Sequence, residues 1–419
     1  MKVLWIVNLI PSNVSAAMGT AKSVLGGWVE SMAGQLSLRN DIQLAVACKN
    51  EGSEQFFYQL DRVNYYGVAY NSKTSVDEIK KRCLQIIDDF CPELIQIEGT
   101  EFLHALAMLG AAKERNIKTV VSLQGILNGQ YNYQCGQLQI PDMMFSLSFT
   151  NIYSAWVMYL RQRCWYKKRL APERKILEQA DNFMGRTVWD RAHSYSINPS
   201  AGYYTCNRVL RPPFYEKKWD VKNIERHSIY IGNGYFPLKG LHFVLMALPQ
   251  LIREYPDVKV YVGGYKPFEE HDRRSPLKKG YAAYLKKLIR DLDIAGHVVL
   301  LGPLSAQQVA DRLEKSHVYV LCSTVENSPN TLGEAMVIGT PCVSAYVGGV
   351  ADMADDGTEV LFYRNDDPAF LAWNIKRIFD YDQFANKLSQ KAKIHALETH
   401  DAKKNAEKLI SVYNEILKR

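Results

Sequence analysis

At 419 residues, 47% of them hydrophobic and 23% charged, the chain has ordinary globular composition and material for two or three cores, which excludes fibrous and disordered classes. Lysine and arginine number 51 against 44 acidic residues, so the formal charge is 51 − 44 = +7. That balance suits anionic small molecules or an anionic membrane surface, and it is too diffuse to argue for nucleic acid.

The first apolar run, Val3–Ile10, is short for a leader peptide, contains Asn8 and ends in Pro11; it reads as a buried first strand. Continuous apolar runs at Val3–Leu9, Gln43–Ala47, Leu94–Ile97 and Thr119–Leu123 predict strands, with helical patterns between them at Ala21–Leu36 and Val76–Phe90. Such non-alternating strands belong to a parallel sheet covered on both faces. After Arg211-Pro212-Pro213 the pattern restarts. Strands are predicted at Ser228–Ile231, Val258–Val262, Val298–Leu301, His317–Leu321 and Pro341–Ser344, and helices at Leu241–Glu254, Tyr281–Leu292, Ser305–Lys315 and Asn330–Ile338. The expectation is an α/β chain of two doubly wound domains, 1–212 and 213–399. The closing helical pattern, 400–419, is expected to rejoin the first domain. The eight cysteines, at 48, 83, 91, 135, 164, 206, 322 and 342, form no C-x-x-C pair and read as reduced thiols of a cytoplasmic protein.

Residues 142–175 stand apart: an apolar, aromatic stretch turns basic, with Arg161, Arg163, Lys167, Lys168, Arg169, Arg174 and Lys175. Its Ser, Thr and Asn residues argue against a membrane span. Two readings stay open: peripheral contact of 156–175 with anionic lipid at the inner face of the cell membrane, or a solvated helix over the domain core.

The chemistry concentrates in 326–342, ENSPNTLGEAMVIGTPC. Ser328 is placed as N-cap and Pro329 as the first helical residue. The amides of Asn330 and Thr331 then have no partner within the helix and, with the helix dipole, favour an anion such as a phosphate. Glu326 lies ahead of this helix start and Glu334 alongside it; a carboxylate accepts two hydroxyls, which suits the vicinal diols of sugars. A diphosphate flanked by ribose and hexose has that shape. Upstream, the strand-to-loop stretch IYIGNGYFPLKG at 229–240 sets Lys239 at a helix start, where it meets phosphate charge. Gly26 and Gly27 follow the first strand, where missing side chains would let a substrate approach the backbone.

These residues resemble glycosyltransferase family 4, the group 1 glycosyltransferases of the GT-B fold. The resemblance covers nearly the whole chain and rests on the E-x7-E segment with Gly339-Thr340-Pro341, then Gly348-Gly349-Val350, Asp356-Gly357 and Leu361-Phe362. It implies two Rossmann-like doubly wound domains facing a central cleft, the first binding acceptor and the second the donor. It implies a retaining hexosyltransferase that moves sugar from a nucleotide diphosphate sugar to a glycan or lipid-linked acceptor, with surface polysaccharide biosynthesis as the expected setting. By the resemblance Glu334 holds the donor ribose, Glu326 contacts the transferred sugar, and Lys239 with the Asn330 and Thr331 amides and Ser328 holds the diphosphate. Gly26 and Gly27 line the opposite wall.

Two positions depart from the family pattern. Gly234 stands where an arginine is usual, and Arg186 is a candidate replacement on the donor side, with a plain surface arginine as the alternative. Gln124 stands where a histidine is usual; it can hydrogen-bond a sugar but cannot exchange a proton. Glu98 and Glu101, in IEGTEF, are candidates for acceptor hydroxyls or for structural capping. The Asp291-Leu292-Asp293 triplet mimics a metal motif but falls at a helix end, and no metal or other cofactor is expected. Rival readings are a sugar-nucleotide epimerase and a non-catalytic sugar-binding subunit of a polysaccharide assembly complex.

Overall fold

The computed structural model describes residues 1–20, 26–51, 55–143, 149–264 and 276–419; at 140, 143, 150, 151, 154, 157–159, 161–168 and 276–279 it describes the backbone alone. The chain divides into two units, each with one sheet. The first holds Met1–Gly129, Lys167–Arg211 and His400–Arg419; the second holds Gln130–Tyr166 and Pro212–Thr399.

The sheet of the first unit has eight strands: β1 (Lys2–Val7), β2 (Gln43–Asn50), β3 (Phe57–Leu60), β4 (Val63–Ala69), β5 (Leu94–Glu98), β6 (Lys118–Ser122), β7 (Asn182–Gly185) and β8 (Gly202–Thr205). Their order is β3-β4-β2-β1-β5-β6-β7-β8, parallel throughout except for the antiparallel β3 edge. Every residue of β5 and five of the six of β1 are buried, as strands covered on both faces require. One face of this sheet packs under the helices Val76–Phe90 and Leu103–Glu114. The other face takes Val29, Met32 and Leu36 of the helix Gly27–Ser37, together with Leu409, Val412, Tyr413 and Ile416 of the closing helix Ala402–Lys418. The closing helix is also hydrogen-bonded in: Trp5 Nε1 donates to Tyr413 Oη at 2.9 Å.

The second sheet has six parallel strands: β9 (Glu225–Ile231), β10 (Lys259–Gly263), β11 (Val298–Gly302), β12 (Ser316–Leu321), β13 (Cys342–Ala345) and β14 (Val360–Tyr363). They lie in the order β11-β10-β9-β12-β13-β14. Both sheets therefore reverse their winding at one point, between β1 and β5 in the first and between β9 and β12 in the second. In open parallel sheets ligands sit at the carboxyl ends of the strands at such a reversal.

The boundary drawn from sequence needs one correction. Residues 130–166, placed in the first domain by that boundary, pack with the second unit. His242 Nε2–H donates to Gly136 O (3.1 Å), Thr324 Oγ1 to Tyr133 O (3.1 Å) and Asn365 Nδ2 to Gln137 Oε1 (3.0 Å). These contacts come from Tyr133, Gly136 and Gln137, in a polar stretch with no apolar run to tie it to either core. Strands β3, β4, β7 and β8 also escaped the sequence reading. They are the two outermost strands at each end of the sheet, and the β3 edge alternates between exposed and half-buried residues instead of forming an apolar run.

Candidate active site

In the second unit the loops after β9 and β12 leave the sheet at its reversal point and are pinned together. Thr324 N–H donates to Leu238 O (2.8 Å) and Cys322 Sγ–H to Lys239 O (3.1 Å). The contact needs Gly240: at φ +69° a Cβ there would stand 1.8 Å from the Cys322 carbonyl oxygen. The result sets Lys239 Nζ 2.5 Å from Glu326 Oε1, which also accepts Ser323 Oγ–H at 2.7 Å.

A third loop closes on the same point. Gly349 N–H donates to the Glu326 carbonyl (3.0 Å), and a Cβ at Gly348 would stand 1.9 Å from that oxygen. The Gly348-Gly349 pair thus clamps the Glu326 backbone.

The helix Asn330–Ile338 starts one residue later than the sequence suggests. Pro329, at φ −70° and ψ 116°, is the N-cap in place of Ser328, and its own side chain makes no capping hydrogen bond. The helix's backbone bonds begin with Leu332 N–H to Pro329 O at 3.1 Å. Proline fits the N-cap because its missing N–H costs nothing there, and the first-turn amides of Asn330 and Thr331 lie ahead of the ladder. Both residues are half-buried, whereas the helix beyond them is buried, including Glu334 at 2% exposure. A carboxylate so enclosed is a binding or structural group, not a solvated one.

Gly234 has a packing cause. A Cβ there would lie 2.6 Å from Leu241 Cδ2 and 2.9 Å from Val262 Cγ1, so no arginine fits in this backbone. The Asp291 carboxylate is taken up by Lys287 and Arg290 on its own helix.

In the first unit, Glu98 ends β5 and Gln124 follows β6 by two residues. Glu98, 2% exposed, accepts from Gln96 Nε2, from Gln124 Nε2 at 3.1 Å and from Arg208 Nη2 at 3.3 Å. Arg208 also lies flat on Trp28, with its guanidinium carbon 3.5 Å from the ring centroid. Arg186 is in this unit too; burial and then the neighbouring Arg208 charge lower it to about 9. Trp28, Glu98, Arg186, Asn207 and Arg208 line one small pocket. Nothing in the sequence pointed to Arg208: it sits in NRVLRPP, just before the strand pattern restarts.

Glu101 has its oxygens on backbone. It accepts Thr100 N–H at 2.9 Å and Gly125 N–H at 2.8 Å, tying the loop after β5 to the loop after β6. Desolvation raises its carboxyl to about 7. Behind it, the fully buried Glu173 accepts from Thr100 Oγ1 (2.8 Å), Leu127 N (2.9 Å), Asn128 N (2.7 Å) and Asn128 Nδ2 (2.7 Å). These two carboxylates hold the Gln124 loop in place, and sequence reading had no signal for Glu173. Gly26 and Gly27 serve packing: an added Cβ would meet Leu9 at 2.5 Å in the first case and Arg211 at 2.8 Å in the second.

Among the described residues no group of three or more His, Cys, Asp or Glu could hold a metal. No helix is long and apolar enough to cross a membrane among those residues.

Two doubly wound parallel sheets, each with polar loops at its reversal point, define the GT-B class. Residues 214–395 match the family described as Glycosyl transferases group 1. It is 24% identical over 206 residues to the putative glycosyltransferase YtcC of Bacillus subtilis (strain 168), covering 48% of each chain. The chain thus spans about half the length of the curated relatives it matches. In fold it is similar to sucrose-phosphate synthase from Thermosynechococcus elongatus, with a TM-score of 0.72 at 13% identity over 99% of both chains. It is also similar to Anabaena Alr3699/HepE in complex with UDP-glucose, with a TM-score of 0.69 at 15% identity over 99% of this chain and 100% of that one.

Proposed function

We propose that the chain is a retaining glycosyltransferase that moves a hexose from a nucleotide diphosphate sugar to a glycan or lipid-linked acceptor in surface polysaccharide biosynthesis. The observation that supports this most is the Lys239–Glu326 pair, held by three loops beside the start of the helix Asn330–Ile338. A diphosphate draws Lys239 away from Glu326, because two phosphate charges attract an ammonium more strongly than one carboxylate does. The released Glu326 then accepts hydroxyls of the transferred sugar, and the Asn330 and Thr331 amides share the phosphate charge. Glu334 takes the ribose diol. Charge on the leaving diphosphate is thereby stabilised by a lysine and a helix end, with no required metal.

Acceptor binding belongs to the first unit, with Glu98 and Gln124 as the hydroxyl partners and Arg208 as a residue that holds Glu98. Gln124 cannot take a proton. In this reading the acceptor hydroxyl gives its proton to the leaving phosphate oxygen, on the same face from which the bond breaks, and configuration is retained. A lipid-linked acceptor places the protein at the inner face of the cell membrane, as a peripheral protein.

UDP-glucose is the first donor to test, since HepE, of similar fold, has been seen with it. Thermal stability is measured against a panel of nucleotide sugars, followed by transfer to a pool of lipid and glycan acceptors. Stabilisation by one donor and release of its nucleotide only with acceptor is the expected result. Sugar epimerised without acceptor, or donor binding with no turnover for any acceptor, would sink the reading.

A further inference from the structure

The helix Phe149–Gln179 carries an aromatic ladder on its outside. Phe149 is 84% exposed, Tyr153 45% and Trp156 59%, with Ile152 and Leu160 at 40% and 38%. The spacing 149, 152, 153, 156, 160 is one helical face. The rings stack along it, Phe149 on Tyr153 at 6.1 Å between centroids and Tyr153 on Trp156 at 6.3 Å. Five large apolar side chains on one exposed stripe mark a binding surface.

Charge says what covers it. Residues 149–168 contain no aspartate or glutamate but include Arg161, Arg163, Lys167 and Lys168, a net +4. The same helical spacing carried past Leu160 falls on Arg163 and Lys167. Further along the helix Arg169 is taken up by the protein itself, and the exposed Arg174 is paired on the surface with an acidic neighbour. Arg169 Nη2 donates to Glu101 O at 3.2 Å and lies over Phe102, and Arg174 pairs with Glu178 at 2.8 Å. The first acidic residue, Glu173, is buried and bonded to the Gln124 loop.

We infer that the stripe Phe149–Leu160 is a membrane-contact face, lying in the headgroup region of an anionic bilayer, with the cations that follow it at the lipid phosphates. Phe, Tyr and Trp are the side chains that settle at this depth, and an acid-free helix avoids repulsion from anionic lipid. The contact thus begins earlier than the basic stretch read from sequence, and Arg169 and Arg174 are not part of it. This deepens the lipid-linked side of the proposed function and rests on it only for its biological sense. A chain that binds vesicles yet transfers no sugar would leave this inference standing and sink that reading.

The test is sedimentation of the full chain with phosphatidylcholine vesicles, with and without a quarter phosphatidylglycerol. Binding is expected only with the anionic lipid, and it should weaken as salt rises. The double variant Phe149→Ser, Trp156→Ser should lose at least roughly tenfold in partitioning while keeping its thermal midpoint, because both side chains are exposed. Arg163→Glu with Lys167→Glu should abolish the preference for anionic lipid. Parental sedimentation of the serine variant would overturn the inference. So would a dimer in analytical ultracentrifugation that Trp156→Ser dissolves while vesicle binding is absent.

Discussion

Lys239 and Glu326 meet at 2.5 Å across the loops that follow two neighbouring strands, with 29% and 14% of their side chains exposed. A pair this open to water contributes about 0–1 kcal/mol to folding, so its cost to stability is a poor reason for three loops to hold it. The arrangement makes better sense as a charge reserve. The lysine is neutralised until a diphosphate arrives, and the carboxylate is occupied until a sugar does.

That reserve predicts opposite effects from its two halves. Glu326→Gln leaves Lys239 without its ion-pair partner, so UDP should bind as tightly as before or tighter. Transfer should fall at least roughly a hundredfold, about 2.7 kcal/mol of barrier. Lys239→Met should weaken UDP about tenfold or more, near 1.4 kcal/mol. Calorimetric titration with UDP, set beside a transfer assay, separates the two. Equal weakening of UDP by both variants would mean that the pair is only a strut.

Backbone contact makes the second prediction. Gly240→Ala places a methyl 1.8 Å from the Cys322 carbonyl, and Gly348→Ala places one 1.9 Å from the Glu326 carbonyl, each at positive φ. Both loops must shift, at a cost of about 1–3 kcal/mol each. Urea unfolding should show that loss, and donor affinity should drop in both because Lys239 and Glu326 move apart. Gly296→Ala, with no heavy atom within 4 Å of the added Cβ, is the control.

The first unit depends on Glu173 in a different way. Glu173→Ala removes the acceptor of four donors, buried at Thr100 and Leu127 and part-buried at the Asn128 backbone and side chain. Several kcal/mol of stability should go, on the order of 3–5. Glu173→Gln keeps one acceptor oxygen and should cost less. If the loop it holds serves the acceptor, the Gln variant should raise the acceptor KM with donor affinity unchanged. A variant that alters donor and acceptor kinetics equally would reduce Glu173 to a structural role.

What the sequence made legible follows from how locally each feature is encoded. The strands around both reversal points were readable because a strand buried on both faces must be apolar throughout, as β1, β5 and β12 are. Glu326, Lys239 and Glu334 were readable because loop, helix start and carboxylate lie within one short stretch or at a loop that opens on it. Arg208 and Glu173 were not, since their partners are 110 residues away in the first case and 45, 46 and 73 in the second. Gly26 and Gly27 were read for the open backbone they offer a ligand; Leu9 and Arg211, which a Cβ at each would meet, are a packing reason for glycine that the sequence does not show.

The pH dependence of folding pits buried histidines against a buried glutamate. Burial lowers His104, His242 and His317 to about 3 each. Each holds fewer protons folded than unfolded below about pH 6.5, so each withdraws stability as pH falls through that value. Glu101, raised to about 7 by desolvation, has the opposite sign: folded, it keeps a proton that the unfolded chain has lost above about pH 4.5. Near pH 6 the three histidines outweigh the one carboxyl by about one to two protons, so stability should climb from pH 5 to about 6.5. It should then level or dip slightly toward pH 7.5 as Glu101 ionises. Urea midpoints measured across that range check the shape. In Glu101→Gln the climb should steepen and the dip disappear; a stability maximum near pH 5 would show that the histidines are not held neutral.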